Sequence, residues 1–280
     1  MTERHESFMK FSVIVVCLNP GEKLKYTMDS ILNQTYRNFE VIIKDGGSND
    51  GSVEPWRQGM EVDGVTVRFF QEKDTGIYDA MNQAVSRAQG EFVLFMNCGD
   101  AFYSREVLER TEAFTAAQGA AGVELDRLVL YGDIYNRKVG ARIASAPNIT
   151  GFTCYRNIPC HQSCIYSISL CREKPYDPQY RIRADYEHFL WCFYRAKARF
   201  VNMGLPVASY EGGGYSESKE NKKRNKQEHR LITEMYMGKG ELFRYRAVMV
   251  CTLAPLRSAM AESRVFSGVY HWVKGFIYRN

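Results

Sequence analysis

Four aspartates stand where apolar runs of this sequence begin or end, which is where a fold can fix a carboxylate and still leave it near a ligand. Asp45 closes FEVIIKD, Asp100 follows FVLFMNCG, Asp133 follows LVLYG, and Asp185 opens DYEHFLWCFY. Each suggests a different task. Asp45 does not favour phosphate oxygens, but it can accept hydrogen bonds from a base N–H or a ribose hydroxyl. Its segment DGGSNDG would serve equally as a turn with helix-capping residues. Asp100 can reach a divalent cation that neutralises a diphosphate; it can also cap a helix over AFYSREVLERTEAFTAA. Asp133 can meet a substrate or pin a loop. Asp185 lies at the start of a helical pattern, where a carboxylate stays ionised and can take the proton of an attacking hydroxyl.

Several further residues belong to the same inventory. Asp74 sits in a loop before Thr75 and Gly76, suited to a cap or to ligand contact. Asp79 and Asn82 are three apart and share a helix face. For Asn82 a structural hydrogen bond and a substrate contact stay equally open. His161 stands in the polar triplet His161-Gln162-Ser163 within an apolar, cysteine-rich run, and its imidazole can contact a phosphate oxygen. Arg181 and Arg183 can bind a diphosphate or pair with surface acids.

The elements that must position these groups follow from the patterning. FSVIVVCL (11–18), Phe39–Ile43, VTVRFF (65–70) and Phe92–Met96 read as buried strands. Leu24, Met28, Ile31 and Leu32 form one helical stripe, and Ile77, Met81, Ala84 and Val85 another, with Gly90 as a stop. Alternating strands and helices with acidic, Gly-rich strand ends predict a Rossmann-like, mostly parallel sheet. Further on, Leu128–Tyr131 reads as a strand ending at Asp133, 138–157 as loops, and Val201–Met203 and Val207–Tyr210 as two short strands. Tyr186, Phe189, Leu190 and Phe193 give the apolar face of the helix that begins at Asp185. Gly212-Gly213-Gly214-Tyr215-Ser216 is a glycine loop able to close over a ligand or make a plain turn.

The 280 residues suffice for one large core or a core with an appendage. Eight cysteines are scattered without a CxxC pair, which predicts reduced, mostly buried thiols rather than a zinc site. The polar start and the absence of an apolar run of roughly 18–20 residues predict a cytoplasmic chain. The net charge of +5 is uneven: residues 1–216 hold 24 basic and 26 acidic side chains, 217–240 seven and four, and 241–280 six and two. The basic excess therefore belongs to the tail, where Pro255 would break a helix. Trp272, Lys274, Phe276, Tyr278 and Arg279 suit a membrane interface, a packed appendage or a homodimer. Charge is the sole support for nucleic-acid binding, so no nucleic-acid partner is expected. No GxGxxG follows the first strand and no Walker A sequence is present, which argues against a dinucleotide-dependent oxidoreductase.

Taken together, SVIVVCLN, SILNQTYRNFEVIIKDGGSNDGS, DTGIYDAMNQAVSRAQGEFVLFMNCGD and ADYE resemble family-2 glycosyltransferases of the GT-A fold over about residues 10–215. Within that family, DTGIYDAMN is most similar to the bacterial branch that builds capsular, exopolysaccharide or colanic-acid-like polymers. The resemblance implies a GT-A domain over 1–216; the basic, aromatic residues 217–280 are expected to form a helical extension that associates with membrane through 241–280 or dimerises. It implies an enzyme moving a sugar, with inversion, from a nucleotide-diphosphate donor (a UDP-sugar) to a hydroxyl of a saccharide or lipid-linked saccharide, at the inner face of the cell membrane. Asp45 would contact the donor base, and Asp74, Asn82, Asn97 and His161 would line the donor site, His161 near the diphosphate. Asp185 would be the base, ahead of Glu187. Asn97 to Asp100 stands where relatives carry Asp-x-Asp. With Asn97 and Gly99 where carboxylates are common, Asp100 alone keeps the charge, so Mn²⁺ or Mg²⁺ would bind through a weakened motif. A noncatalytic nucleotide-sugar-binding module and a nucleotidyltransferase are the alternatives.

Overall fold

The computed structural model describes residues 9–212 and 221–252. In chain order the elements are β1 (Phe11–Cys17), α1 (Glu22–Leu32), β2 (Phe39–Asp45), β3 (Met60–Val62), β4 (Val65–Gln71), α2 (Ile77–Arg87), β5 (Phe92–Phe95), β6 (Ala101–Phe102) and α3 (Val107–Ala120). Then come β7 (Leu128–Asn136), β8 (Ala141–Ile143), α4 (Gly151–Arg156), β9 (Cys164–Ser167), α5 (Ile168–Glu173), α6 (Ala184–Tyr194), β10 (Arg199–Tyr210), α7 (Asn221–Tyr236) and α8 (Lys239–Cys251). They fall into two compact units, one within Met1–Leu128 and Ile165–Pro175, the other within Val129–Cys164 and Tyr176–Asn280.

The first unit is built on a sheet of order β3-β4-β2-β1-β5-β9. Its four central strands are parallel, and β3 and β9 run antiparallel at either side. This is the mixed α/β architecture the sequence predicts. Every residue of β2 is buried, and β1 is buried through Val16, because helices cover the sheet. α2 packs on β1 and β2 through Ala80, Met81, Ala84 and Val85, while Ile77, expected on that face, is exposed. On α1 the buried set is Leu24, Thr27, Met28 and Ile31, with polar Thr27 in place of the expected Leu32.

Two expectations for this unit are corrected. Asp100 does not cap the following helix: Ala101–Phe102 is extended, and α3 starts only at Val107 with Glu106 before it. Gly90 does not stop α2, which ends at Arg87. Gly90 is glycine because a β-carbon there would lie 2.6 Å from backbone atoms of Phe11 and Ser12.

In the second unit β7 pairs with β10 and, off the main strand path, antiparallel with β8. Asp133 is inside β7 rather than at its end, and the 138–157 segment contains β8 and α4. The two expected short strands are one, β10, which tolerates a left-handed Gly204 (φ 65°). Nearly all of α6 from Ala184 to Leu190 is buried. α7 and α8 complete this unit, with α7 packed on α6 and α8 on α4 and α7. The boundary expected after Ser216, the glycines 213–214 and everything from 253 onward, including Pro255 and the tail aromatics, lie outside the described residues. Among the described residues no helix is long and apolar enough to cross a membrane.

Candidate active site

In the first unit, parallel β1 and β2 end in register at Cys17 and Asp45, so their following loops emerge side by side. The loops are stitched together. Asn19 N donates to Ser48 Oγ (2.7 Å), Asn49 N to Asn19 Oδ1 (2.9 Å), and Gly21 N to Asp50 Oδ2 (2.9 Å). Asp45 organises this loop pair. It is fully buried. Its Oδ2 accepts from Gly47 N (3.1 Å), Ser48 N (2.9 Å) and Gln71 Nε2 (2.7 Å), and its Oδ1 accepts from Ser48 Oγ. Burial pushes this carboxyl's pKa up, but the bonds from Ser48, Gln71 and the amides together outweigh it, and the pKa falls below the ordinary value. Gly47 has φ 110°, which only glycine adopts without strain.

Asp74 sits at the next loop, after β4. It pairs with Lys44, whose side chain is wholly buried, and accepts from Gly76 N (3.1 Å). Lys44 Nζ also donates to Glu72 O at 2.6 Å. The sequence reading missed Lys44. Its signal was a lysine inside an otherwise apolar strand, which must find a charge partner. Asp79 turns back to accept from Thr75 N at 2.8 Å and Thr75 Oγ1 at 3.0 Å, securing the entry to α2. Asn82 is half-buried within α2.

The NCGD turn follows β5. Thr27 of α1 fixes it, accepting from Gly99 N (2.9 Å) and donating to Asp100 O (2.7 Å). Gln34 and Thr35 extend the same seam. Gln34 Nε2 donates to Ser104 O at 2.8 Å, and Thr35 N donates to Arg105 O at 2.9 Å. The polar residues of SILNQTY thus act as rivets between α1 and the segment that carries Asp100. Gly99 has φ 97°, where a residue with a side chain would be strained. Asp100 is 4% exposed.

Asn97 Oδ1 is buried without a hydrogen-bond partner, as an amide oxygen reserved for a ligand would be. Among the described residues no three His, Cys, Asp or Glu side chains cluster for a metal. A cation bridging a diphosphate needs no such cage, because one or two protein oxygens plus phosphate oxygens and waters suffice. Asn97 and Asp100 fit that donor set.

In the second unit Asp185 occupies the first turn of α6 and is half-buried. His161 is half-buried, its ring edge-on to Tyr176 with centroids 5.9 Å apart. Burial lowers the His161 pKa, and the nearby negative charge of Asp185 opposes that shift. His161 and Asp185 belong to the same unit. Glu187 is occupied otherwise: it is 2% exposed and accepts from Tyr236 of α7. Asp133 pairs with Arg142 Nε (2.6 Å) and accepts from Ser145 N (2.8 Å), the loop-pinning alternative. Cys154, Cys164, Cys171 and Cys192 are buried, and burial pushes the thiols of Cys154 and Cys171 up to about 12.

The model of the family described as Glycosyl transferase family 2 matches residues 12–176. The chain belongs to this family. It is a glycosyltransferase. It is 33% identical over 208 residues to the PGL/p-HBAD biosynthesis glycosyltransferase of Mycobacterium bovis, covering 74% of this chain and 78% of the relative. It is 31% identical over 185 residues to an uncharacterized glycosyltransferase of Mycobacterium tuberculosis, covering 64% and 67%. Among solved structures, the transferase superposes on S. aureus TarS 1–349 in complex with UDP at TM-score 0.59 and 21% identity, covering 73% of this chain and 61% of that one. It superposes on the mannosyltransferase PcManGT of Pyrobaculum calidifontis, in complex with GDP-Man and Mn²⁺, at TM-score 0.58 and 15% identity, covering 95% and 87%. At these identities the structural likeness shows the GT-A fold alone.

Proposed function

We propose that this transferase moves a glycosyl group from a nucleoside-diphosphate sugar, a UDP-sugar in the first instance, to a hydroxyl of a saccharide or lipid-linked saccharide, inverting the anomeric centre, in the building of a bacterial surface polysaccharide. The observation that carries the reading is the set of stitched loops at the C-terminal ends of β1, β2, β4 and β5, where open parallel sheets bind nucleotides. The UDP complex of TarS and the GDP-Man complex of PcManGT support a nucleotide-sugar donor.

The chemistry is a single displacement. The acceptor hydroxyl attacks the anomeric carbon, the Asp185 carboxylate takes its proton, and the bond to the diphosphate oxygen breaks with its electron pair leaving on the nucleoside diphosphate. Its place in the first turn of α6 supports this role for Asp185, while Glu187 is engaged by Tyr236. Asp45, with its hydrogen bonds directed inward, shapes the loop that meets the nucleoside. To touch a base itself it would have to exchange one of those bonds. Asp74 braces the neighbouring loop through Lys44, and Asn82 and His161 complete the donor-side set. Asn97 and Asp100 would hold Mn²⁺ or Mg²⁺, which when bound supplies charge compensation to the diphosphate.

We also propose peripheral contact with an anionic membrane, supported by the exposed Phe243 and Val250 of α8 and by Arg244 and Arg246 on the same helix. That would place the catalyst beside a lipid-linked acceptor on the cytoplasmic side, with residues 241–280 making the contact.

The decisive experiment is a panel of UDP-sugars, UDP-GlcNAc included, and GDP-mannose. Nucleotide diphosphate release is read with Mn²⁺, Mg²⁺ or chelator, with and without lipid-linked acceptors. Transfer to an acceptor with an inverted anomeric proton signal by NMR is the expected result. Absence of both binding and turnover across the panel would overturn the proposal.

A further inference from the structure

The loop that leads into α6 ends in a way its own sequence does not provide for. Arg183 occupies the N-cap position (φ −129°, ψ 27°) and supplies no capping side chain. The amides of Arg181, Ile182 and Arg183 instead converge on one carboxylate far along the chain. Glu228 Oε1 accepts from Arg181 N, and Oε2 accepts from Ile182 N and Arg183 N, all at 3.0 Å. Three successive amides aimed at one anion make a nest, and here a side chain of α7 fills it. Glu228 is 5% exposed and is also held by Arg224 Nε at 3.0 Å.

The neighbours of Glu228 work on the same stretch. Arg183 Nε donates to Asn225 O at 3.2 Å, and His229 stacks on Tyr186 at 5.2 Å and 22°. His229 Nε2 also contacts Tyr155 O at 2.9 Å, and Tyr186 hydroxyl donates to Cys154 O at 2.7 Å. Asn225, Glu228, His229 and Ile232 follow helical spacing, so one face of α7 grips residues 181–186 on both sides of Asp185 in sequence. Glu228 holds the backbone that leads into the first turn.

We propose that Glu228 is a positioning residue for the base, fixing the first turn of α6 so that Asp185 is presented to the acceptor hydroxyl. This rests on the reading of Asp185 as base. A proton acceptor displaced by about 1 Å loses rate on the order of a hundredfold, because transfer needs the reacting atoms within hydrogen-bond reach. The nucleotide loops of the first unit are not held by Glu228, so donor affinity should not follow the rate.

The test compares Glu228→Gln and Glu228→Ala in the wild-type and Asp185→Asn backgrounds. Turnover is measured with the fastest donor of the panel and normalised to UDP-binding stoichiometry by calorimetry, which removes any loss of folded fraction. Glu228→Gln keeps the shape and one acceptor oxygen, so it serves even where Glu228→Ala does not fold. The expected result is a fall in kcat of roughly tenfold for Gln and a hundredfold for Ala, with UDP affinity within twofold of wild type. In the Asp185→Asn background neither change should lower the residual rate further. Hydrogen exchange at the amides of 181–183 should quicken in Glu228→Gln.

Wild-type kcat in both Glu228 variants would overturn the proposal, as would an equal fall in both backgrounds or unchanged exchange at 181–183. Full activity in Asp185→Asn alone would instead remove the base reading, whatever the Glu228 variants do.

Discussion

Asp185 and Glu187 lie two positions apart on α6, and their surroundings separate them. Glu187 is buried against Tyr236, so Glu187→Gln is expected to lower Tm while leaving kcat close to wild type. Asp185→Asn is expected to lower kcat by about 10²–10⁴-fold with nucleotide affinity retained, read by turnover beside calorimetry. His161 adds a pH dependence. Its pKa is lowered from the ordinary 6.5 by burial, so the unfolded chain binds a proton that the folded one resists. Its contribution to stability is therefore present above that value and is lost as pH falls through 6.5 toward the folded pKa. Melting curves between neutral and mildly acidic pH should show wild type losing Tm faster than His161→Gln; parallel slopes would contradict this. His229 shares the direction through burial and the nearby Arg183, so His229→Gln is the companion measurement.

Among the elements, α1 is the one that sets the NCGD turn. Its apolar stripe places the helix on the sheet, and Thr27, on the buried side, then reaches both Gly99 N and Asp100 O. Thr27→Val keeps the shape but leaves two buried backbone groups without their partner, a loss of about 1–3 kcal/mol. The expected readout is a lower denaturation midpoint together with a higher donor KM, and Thr27→Ser should restore both. A drop in stability with donor KM unchanged would mean that the turn keeps its geometry without this rivet.

At the scale of the whole molecule, α7 is integral to the second unit through Glu228, Ile232, Thr233 and Tyr236, the first three of them buried. A chain ended after residue 216 should therefore lose the cooperative thermal transition of that unit, visible as a missing calorimetric component. α8 carries Phe243 and Val250, 75% and 72% exposed, beside Arg244 and Arg246. The full chain is expected to float with anionic vesicles and to be released by salt, because the polar part of the attraction is screened. Binding to neutral vesicles alone, or to none, would remove the membrane contact.

Patterns within a few turns of chain told the sequence most of what it could tell. Runs such as FSVIVVC and FVLF encode burial on both faces of a strand, and the spacing of Leu24, Met28 and Ile31 encodes a helix lying on the sheet. The parallel core, the loops at its strand ends, and Asp45, Asp74 and Asp100 within them follow from these local rules, as does Asp185 at the mouth of a helix. What only tertiary structure decided is which distant group answers each buried charge or amide. Lys44 meets Asp74, Thr27 meets the NCGD turn, and Glu228 meets the amides before Asp185 from 45 to 47 residues away. Glu228 sits in a stretch of lysines and arginines that reads as a solvated helix. A charged side chain looks the same in sequence whether water or a nest of amides will surround it; the packing of α7 on α6 makes that choice, by removing the water.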